Sequence, residues 1–242
     1  MISVVIPVYN EAACLSTHVD ALAPLLTDLA GDDWEIVLVD DGSSDGTAVA
    51  IDRLALRYVG HVRGIKHTRN RGKGAAVKSG VLATRGDRVL FCDADMSTPP
   101  ETLREFLAAM EQGADVVVGN RKVKGAQIER WQPPLRTWLG LGFTRLSNLM
   151  TGLSIGDYTC GFKLFRGEPA RRLFAATETT GWSFDVEVLA LAAREGLTVR
   201  EIPVRWSHVD DTRVRLARDV LRSFRELLAI RRRLGRNRSR RP

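Results

Sequence analysis

The first fifty residues contain no lysine or arginine, against nine acids, so no basic surface for a polyanion is built there. No basic stretch precedes the apolar opening "MISVVIPVYNE", and no signal peptide is expected. No uninterrupted apolar run approaches roughly 18 residues, so no transmembrane helix is expected either. Cysteine is scarce: Cys14, Cys92 and Cys160 form no CxxC pair and leave one over in any pairing. That excludes a zinc ribbon and a disulfide framework, and suits a reducing cytoplasm. What is present is ordinary globular material, 44% hydrophobic and 27% charged over 242 residues, enough for one substantial core. The net charge of +7 is a property of the tail. Residues 231–242, "RRRLGRNRSRRP", hold seven arginines and no acid, which leaves the preceding 230 residues formally neutral. Such a tail suits anionic lipid, nucleic acid or plain solvent.

Short apolar runs alternate with amphipathic segments. Strands are expected at "ISVVIPVY", "WEIVLV" (34–39), "HVRGIKH" (61–67), "DRVLFC" (87–92) and "ADVVVG" (114–119). Helices are expected from about Glu11 to Leu29, up to about Tyr58, near 74–84, and over "PETLREFLAAME". This alternation predicts an α/β fold: a mostly parallel sheet with helices on both faces. Ligands of such sheets bind beyond the carboxyl ends of the strands. There the sequence places "YNE", "DDGSSDGT", "DADMSTPP" and "GNRKVKG", gathering Glu11, Asp40, Asp41, Asp93, Asp95 and Arg121 on one rim.

Within "FCDADMSTPP", Asp93 and Asp95 lie one residue apart, so on an extended chain they point the same way. Two such carboxylates resist joint ionisation unless a cation lies between them. Mg²⁺ or Mn²⁺ favours these oxygens and shares them with substrate phosphates; a polar turn is the alternative. Two nucleotide motifs fail. "GKG" lacks the P-loop spacing and its Ser or Thr, and "GKGAAV" ends in Val77 where a dinucleotide fingerprint needs a small residue. The helix that "RGKGAA" opens can still face a phosphate.

In order along residues 2–215 stand "VVIPVYNE", "VDDGSSDGT", "NRGKGAAVKSG", "DADMSTPP", "GNR", "DYTCGFKLFR" and "GWSFDVEVLA". This series resembles the family 2 inverting glycosyltransferases of the GT-A fold, specifically the polyprenyl-phosphate (dolichyl-phosphate) hexosyltransferases. The resemblance implies that Pro7, Tyr9 and Glu11 line the nucleotide base. Asp40 holds base and ribose with Asp41 beside it, and Lys73 joins the nucleotide-binding set. Asp95 becomes a direct metal ligand, Asp93 is shared between metal and nucleotide, and Ser97 stands where mannosyl members often carry a glutamine ligand. Arg121 and Arg136 would grip the acceptor phosphate, bidentately as guanidinium allows, and Arg213 would reach the diphosphate. Asp157 matches the carboxylate proposed as catalytic base; it is read as base or orienting group, with an arginine-bridged structural carboxylate as the alternative. Asp185 is a weaker candidate for sugar or acceptor, and with Glu187 it also suits a helix N-terminus.

The implied reaction moves a hexose from a nucleotide sugar to polyprenyl phosphate with Mg²⁺ or Mn²⁺. "CGFKLFR" leans toward UDP-glucose over GDP-mannose. A soluble or polysaccharide hydroxyl is the alternative acceptor and would require a true base; nucleic-acid binding through the tail is the non-enzyme alternative. The expected organisation is a catalytic domain over 1–212, a basic amphipathic helix over 213–235 and a disordered arginine-rich tail over 236–242. Peripheral attachment to the inner face of the membrane is expected, because residues 133–153 and 214–235 both pattern as amphipathic helices, the second basic.

Overall fold

The computed structural model describes residues 1–130, 133–208 and 216–238, with the side chains of residues 136, 216–221 and 236–238 outside the description. The elements in order are β1 (Ile2–Val8), α1 (Leu15–Ala30), β2 (Trp34–Asp40), α2 (Thr47–Arg57), β3 (Val62–Lys66), α3 (Lys73–Ala83), β4 (Arg88–Cys92), α4 (Leu103–Glu111) and β5 (Val116–Asn120). They continue as β6 (Gln127–Arg130), α5 (Pro134–Thr151), β7 (Phe162–Arg166), α6 (Gly167–Ala176), α7 (Phe184–Arg194), β8 (Val199–Pro203), β9 (Arg205–Ser207) and α8 (Leu216–Arg238).

Seven strands form one sheet in the order β3-β2-β1-β4-β7-β5-β8, and β6 pairs with β9 beside it. Strands β3, β2, β1 and β4 are mutually parallel, as are β5 and β8; among the described strands of this sheet only β7 runs antiparallel, between β4 and β5. The mostly parallel sheet expected from the sequence is thus present, with one reversed strand in its interior.

Side-chain alternation sorts the strand residues into two cores. Val4, Ile6, Ile36, Leu38 and Leu90 face α1, α2 and α4 through Leu22, Leu26, Ile51 and Phe106. Val5, Val37, Val39, Val89 and Phe91 face α3, α6, α7 and α8 through Val77, Phe174, Phe184, Leu227 and Ile230. Strands buried on both faces read as continuous apolar runs, which is why "ISVVIP" and "IVLV" are so legible. Helix α1 begins four residues later than the periodicity suggests. Residues 11–14 instead form turns, and the Glu11 N–H donates to Thr47 Oγ1 at 2.8 Å, tying that turn to the start of α2.

Helix α8 extends to Arg238, three residues into the stretch expected to be disordered, and residues 239–242 lie outside the description. Its buried face is Leu227, Ile230 and Leu234, which joins the second core. Phe224 is exposed, and Val214 lies outside the described residues. Arg233 pairs with the buried Glu187 at 3.0 Å, so part of the basic face also meets the body of the protein.

Candidate active site

The rim beyond β1, β2, β4 and β5 is assembled by hydrogen bonds from backbone N–H groups to side chains of neighbouring loops. Asn10, in the left-handed region at φ 56°, takes a hydrogen bond from the Ser44 N–H at 2.7 Å and gives its own N–H to Ser43 Oγ at 2.8 Å. Asp40 is buried and accepts the Ser43 N–H at 2.8 Å, the short-range turn bond that aspartate favours. Pro7, Tyr9 and Glu11 therefore stand next to the Asp40 loop, with the Tyr9 ring partly exposed. Asp41 is buried and committed elsewhere. It accepts the N–H groups of Arg71 and Gly72 at 2.9 and 2.8 Å, and His67 Nδ1 lies 2.7 Å away. Its work is to fix the loop that delivers Lys73.

Lys73, the first residue of α3, places Nζ 2.7 Å from Asp93 Oδ1. The same ammonium lies 5.3 Å from the Phe91 ring centre and 5.0 Å from that of Trp182. Burial opposes its charge, but the carboxylates of Asp93 and Asp185 outweigh that and raise its pKa. Burial and the neighbouring Asp95 raise the pKa of Asp93 against the pull of Lys73. Asp93 also gives its N–H to the Gly161 carbonyl at 3.0 Å. A Cβ at Gly161 would fall 1.9 Å from Asp93 Oδ2, so only glycine admits that carboxylate. The turn that follows holds Met96 at φ 49°, a left-handed conformation uncommon outside glycine, and Asp95 Oδ1 accepts the Ser97 N–H at 3.0 Å.

Across the rim, Asp157 has no exposed side-chain surface and is gripped twice by Arg121, Nε to Oδ2 at 2.6 Å and Nη2 to Oδ1 at 2.9 Å. Burial alone would raise this carboxyl, but the guanidinium and the more distant Lys122 (3.7 Å) hold it well below the usual carboxylate range. Arg121 also donates to Thr159 Oγ1 at 2.8 Å and packs over the Trp206 ring at 5.2 Å. Asp185 is buried against Lys163 at 2.7 Å, and Lys163 Nζ also donates to the Cys160 carbonyl at 2.6 Å. Arg213 lies outside the described residues, as does the side chain of Arg136 in α5.

The family description "Glycosyl transferase family 2" matches residues 3–174, well over half of the chain and including both acidic clusters. The chain belongs to glycosyl transferase family 2. Among its relatives, a dolichyl-phosphate beta-glucosyltransferase of Saccharomyces cerevisiae is 35% identical over 95% of this chain and 74% of its own length. Another, from Trichomonas vaginalis, is 34% identical over 88% of this chain and 66% of its own. This family 2 chain thus spans about two thirds to three quarters of the curated relatives it matches. Its fold is that of solved sugar transferases. Mannosyl-3-phosphoglycerate synthase from Rubrobacter xylanophilus aligns at TM-score 0.72 and 20% identity over 98% of this chain and 75% of its own. Glucosyl-3-phosphoglycerate synthase from Mycobacterium tuberculosis, solved with Mn²⁺, UDP-glucose and phosphoglyceric acid, aligns at 0.71 and 22% over 96% of this chain and 79% of its own.

The donor set of this family 2 glycosyltransferase fits a shared metal rather than a caged one. Among the described residues no group of three or more His, Cys, Asp or Glu side chains could hold an ion alone. Asp93 and Asp95 instead offer a few hard oxygens at the sheet edge, with Ser97 tied to Asp95 through its N–H. That suits Mg²⁺ or Mn²⁺, which complete their shells with water and substrate phosphate. Sequence reading missed three contributors. Glu201, on β8, fixes the Asp157 loop by accepting the Gly156 and Asp157 N–H groups at 2.9 and 3.2 Å. Lys163 and Trp206 lie on strands that it did not assign. The "FKLFR" alternation was the available signal for β7 and Lys163; for the other two there was none.

Proposed function

We propose that this chain transfers glucose from UDP-glucose to a polyprenyl phosphate, with inversion, giving a β-linked polyprenyl-phosphate glucose. The observation that carries the reading is the two-point Arg121–Asp157 pair beside the Asp93–Asp95 edge. A hydroxyl acceptor needs a carboxylate free to take its proton, and Asp157 has both oxygens engaged. A phosphate monoester needs none, since its second pKa is near 6 and it is already largely dianionic at neutral pH. The names of the relatives, dolichyl-phosphate beta-glucosyltransferases, favour the same donor sugar and acceptor class.

Asp93 and Asp95, with Ser97, would hold a divalent ion, and that ion would supply neutralisation of the charge that builds on the departing diphosphate. Pro7, Tyr9, Glu11 and Asp40 seat the uridine, and Lys73 meets its diphosphate. Arg121, oriented by Asp157, presents its guanidinium to the acceptor phosphate, with Lys122 adjacent and Arg136 and Arg213 as further cationic partners. An acceptor oxygen attacks the anomeric carbon on the face opposite the diphosphate. The C1–O bond to the diphosphate breaks and UDP carries away the electron pair, which inverts the centre. Asp185 acts at one remove, through the field it exerts on Lys73.

The lipid acceptor places this chemistry at a bilayer surface. On α5, Leu135, Trp138 and Leu149 form one exposed stripe with Arg145, and Phe224 is exposed on α8, which packs against α5. Among the described residues no helix is long and apolar enough to cross a membrane. We place this face on the cytoplasmic leaflet, with basic α8 facing anionic headgroups. The deciding assay supplies purified protein with Mn²⁺ or Mg²⁺, a panel of nucleotide sugars and polyprenyl phosphate. Lipid-linked glucose from UDP-glucose is expected. Asp95→Asn is expected to lower turnover at least about a hundredfold with the thermal midpoint unchanged; near-normal turnover by that variant would refute the metal assignment.

A further inference from the structure

Formal charge at the metal-binding edge does not balance as it would for a site built to hold a dication by itself. Asp93 and Asp95 contribute two negative charges, and Lys73 Nζ, 2.7 Å from Asp93, returns one positive. The adjoining Lys163–Asp185 pair, at 2.7 Å, is neutral overall. The protein therefore offers an ion a net single negative charge, and one of its few oxygens already faces an ammonium.

That ammonium is also held in place. Lys73 sits between the rings of Phe91 and Trp182. Its backbone is fixed by the Asp41 carboxylate through Gly72 and by the Thr180 carbonyl, which accepts the Ala75 N–H at 3.2 Å. Gly72, at φ 100°, would place a Cβ 2.5 Å from Thr180 O, so the close approach of this loop to the 178–183 segment requires glycine. A fixed cation at this point repels a lone dication and attracts a diphosphate.

We propose that Lys73 makes metal binding conditional on the nucleotide diphosphate, so that ion and donor load as one unit. This rests on the metal-dependent reading above and adds to it a coupling carried by one side chain. The diphosphate brings the negative charge that the edge lacks. In its presence the ammonium becomes a ligand of phosphate rather than a competitor for Asp93. Coupling between two ligands is reciprocal, so the factor by which UDP tightens Mn²⁺ equals the factor by which Mn²⁺ tightens UDP.

The test is Mn²⁺ binding by electron paramagnetic resonance, with and without UDP, the solution Mn–UDP complex being subtracted. In the wild-type chain UDP is expected to tighten Mn²⁺ at least about tenfold, a separation of order that one unit charge at close range supports. Lys73→Met keeps the apolar stem between the two rings. It is expected to bind Mn²⁺ alone about tenfold more tightly than wild type and to show a UDP coupling smaller by about that factor. Lys73→Arg should retain the coupling. In an Asp93→Asn background, Lys73→Met should change Mn²⁺ affinity by a smaller factor than it does in the wild-type chain, because the part of the competition that acts through that carboxylate is gone. Mn²⁺ affinity in Lys73→Met equal to or weaker than wild type would overturn the proposal, as would a wild-type affinity indifferent to UDP. Wild-type protein that binds no Mn²⁺ with or without UDP would overturn the metal-dependent reading as well, and so separates the two failures.

Discussion

Asp157 and Arg121 are joined at two points, 2.6 and 2.9 Å apart, with the carboxylate wholly enclosed. Such a pair is stronger and more directional than a single contact, since the planar guanidinium matches both oxygens. It fixes which way Arg121 points, and it makes Asp157 a poor proton acceptor at neutral pH.

A pH profile follows from that pair. The folded pKa of Asp157 lies below its unfolded value, so the stabilisation it supplies is complete above about pH 4 and is lost as pH falls further. Between pH 5 and 8 Asp157 titrates in neither state and contributes no slope. Turnover is expected to rise with one acid limb near pH 6, from the second ionisation of the acceptor phosphate, and then to level off. Asp157→Asn should lower kcat/KM about ten- to a hundredfold by releasing Arg121, with the limb unmoved. Loss of the limb in that variant would make Asp157 the base.

Gly161 is a second point where geometry fixes an outcome. An added methyl would collide with the Asp93 carboxylate at 1.9 Å, and the neighbouring backbone is committed through the Asp93 N–H. Gly161→Ala is expected to displace Asp93, lower activity about a hundredfold and weaken Mn²⁺ binding in the presence of UDP. The cost in stability should be about 1–3 kcal/mol, the usual cost of overpacking. Unfolding curves and Mn²⁺ titration read the two effects separately.

The parts of this molecule legible in its sequence are those where one physical signal dominates. Strands buried on both faces announce themselves as apolar runs, and the carboxylates beyond them fall on the ligand-binding edge by a rule of parallel sheets. Asp93, Asp95 and Arg121 were placed on one rim for that reason. What stayed hidden depends on distant partners. The same short run "FKLFR" could pair in either direction, and only its position between β4 and β5 makes it antiparallel. That Asp41, grouped with the nucleotide, accepts two backbone N–H groups thirty residues away was not legible either. In α8 the sequence period does not tell which apolar residues turn inward; Leu227, Ile230 and Leu234 do, while Phe224 stays exposed.

That packing yields a prediction about the C-terminal helix. Arg233 reaches Glu187 at 3.0 Å and Thr179 Oγ1 at 2.7 Å, and Glu187 also accepts the Thr179 N–H at 2.8 Å. Removing one partner strands a charge whose carboxylate is only 4% exposed. Arg233→Met is expected to cost about 3 kcal/mol, toward the low end for a buried pair because Arg233 itself keeps some contact with water. The 178–183 segment borders Lys73 through Thr180 and Trp182, so UDP affinity should weaken with stability. Arg233→Lys should recover part of both. Unchanged unfolding in Arg233→Met would mean that α8 is held by Leu227, Ile230 and Leu234 alone.

The exposed stripe of α5 yields a prediction about how the protein would meet the proposed lipid acceptor. Leu135, Trp138 and Leu149 are 62%, 70% and 79% exposed on one side of the helix, an arrangement that leaves apolar area in water unless something covers it. Tryptophan favours the boundary between headgroup and acyl chain, where its ring is wet at one edge only. Cationic charge on α8 adds about 1 kcal/mol for each basic residue near an anionic surface. The two contributions separate by salt. Binding to vesicles containing phosphatidylserine should weaken in high salt but persist in part, whereas Leu135→Ser with Trp138→Ser should leave binding that salt abolishes. Turnover on a short, water-soluble polyprenyl phosphate should be unaffected by the double substitution, because neither residue touches the reacting groups. Flotation of the double variant equal to wild type at high salt would place the membrane on another face.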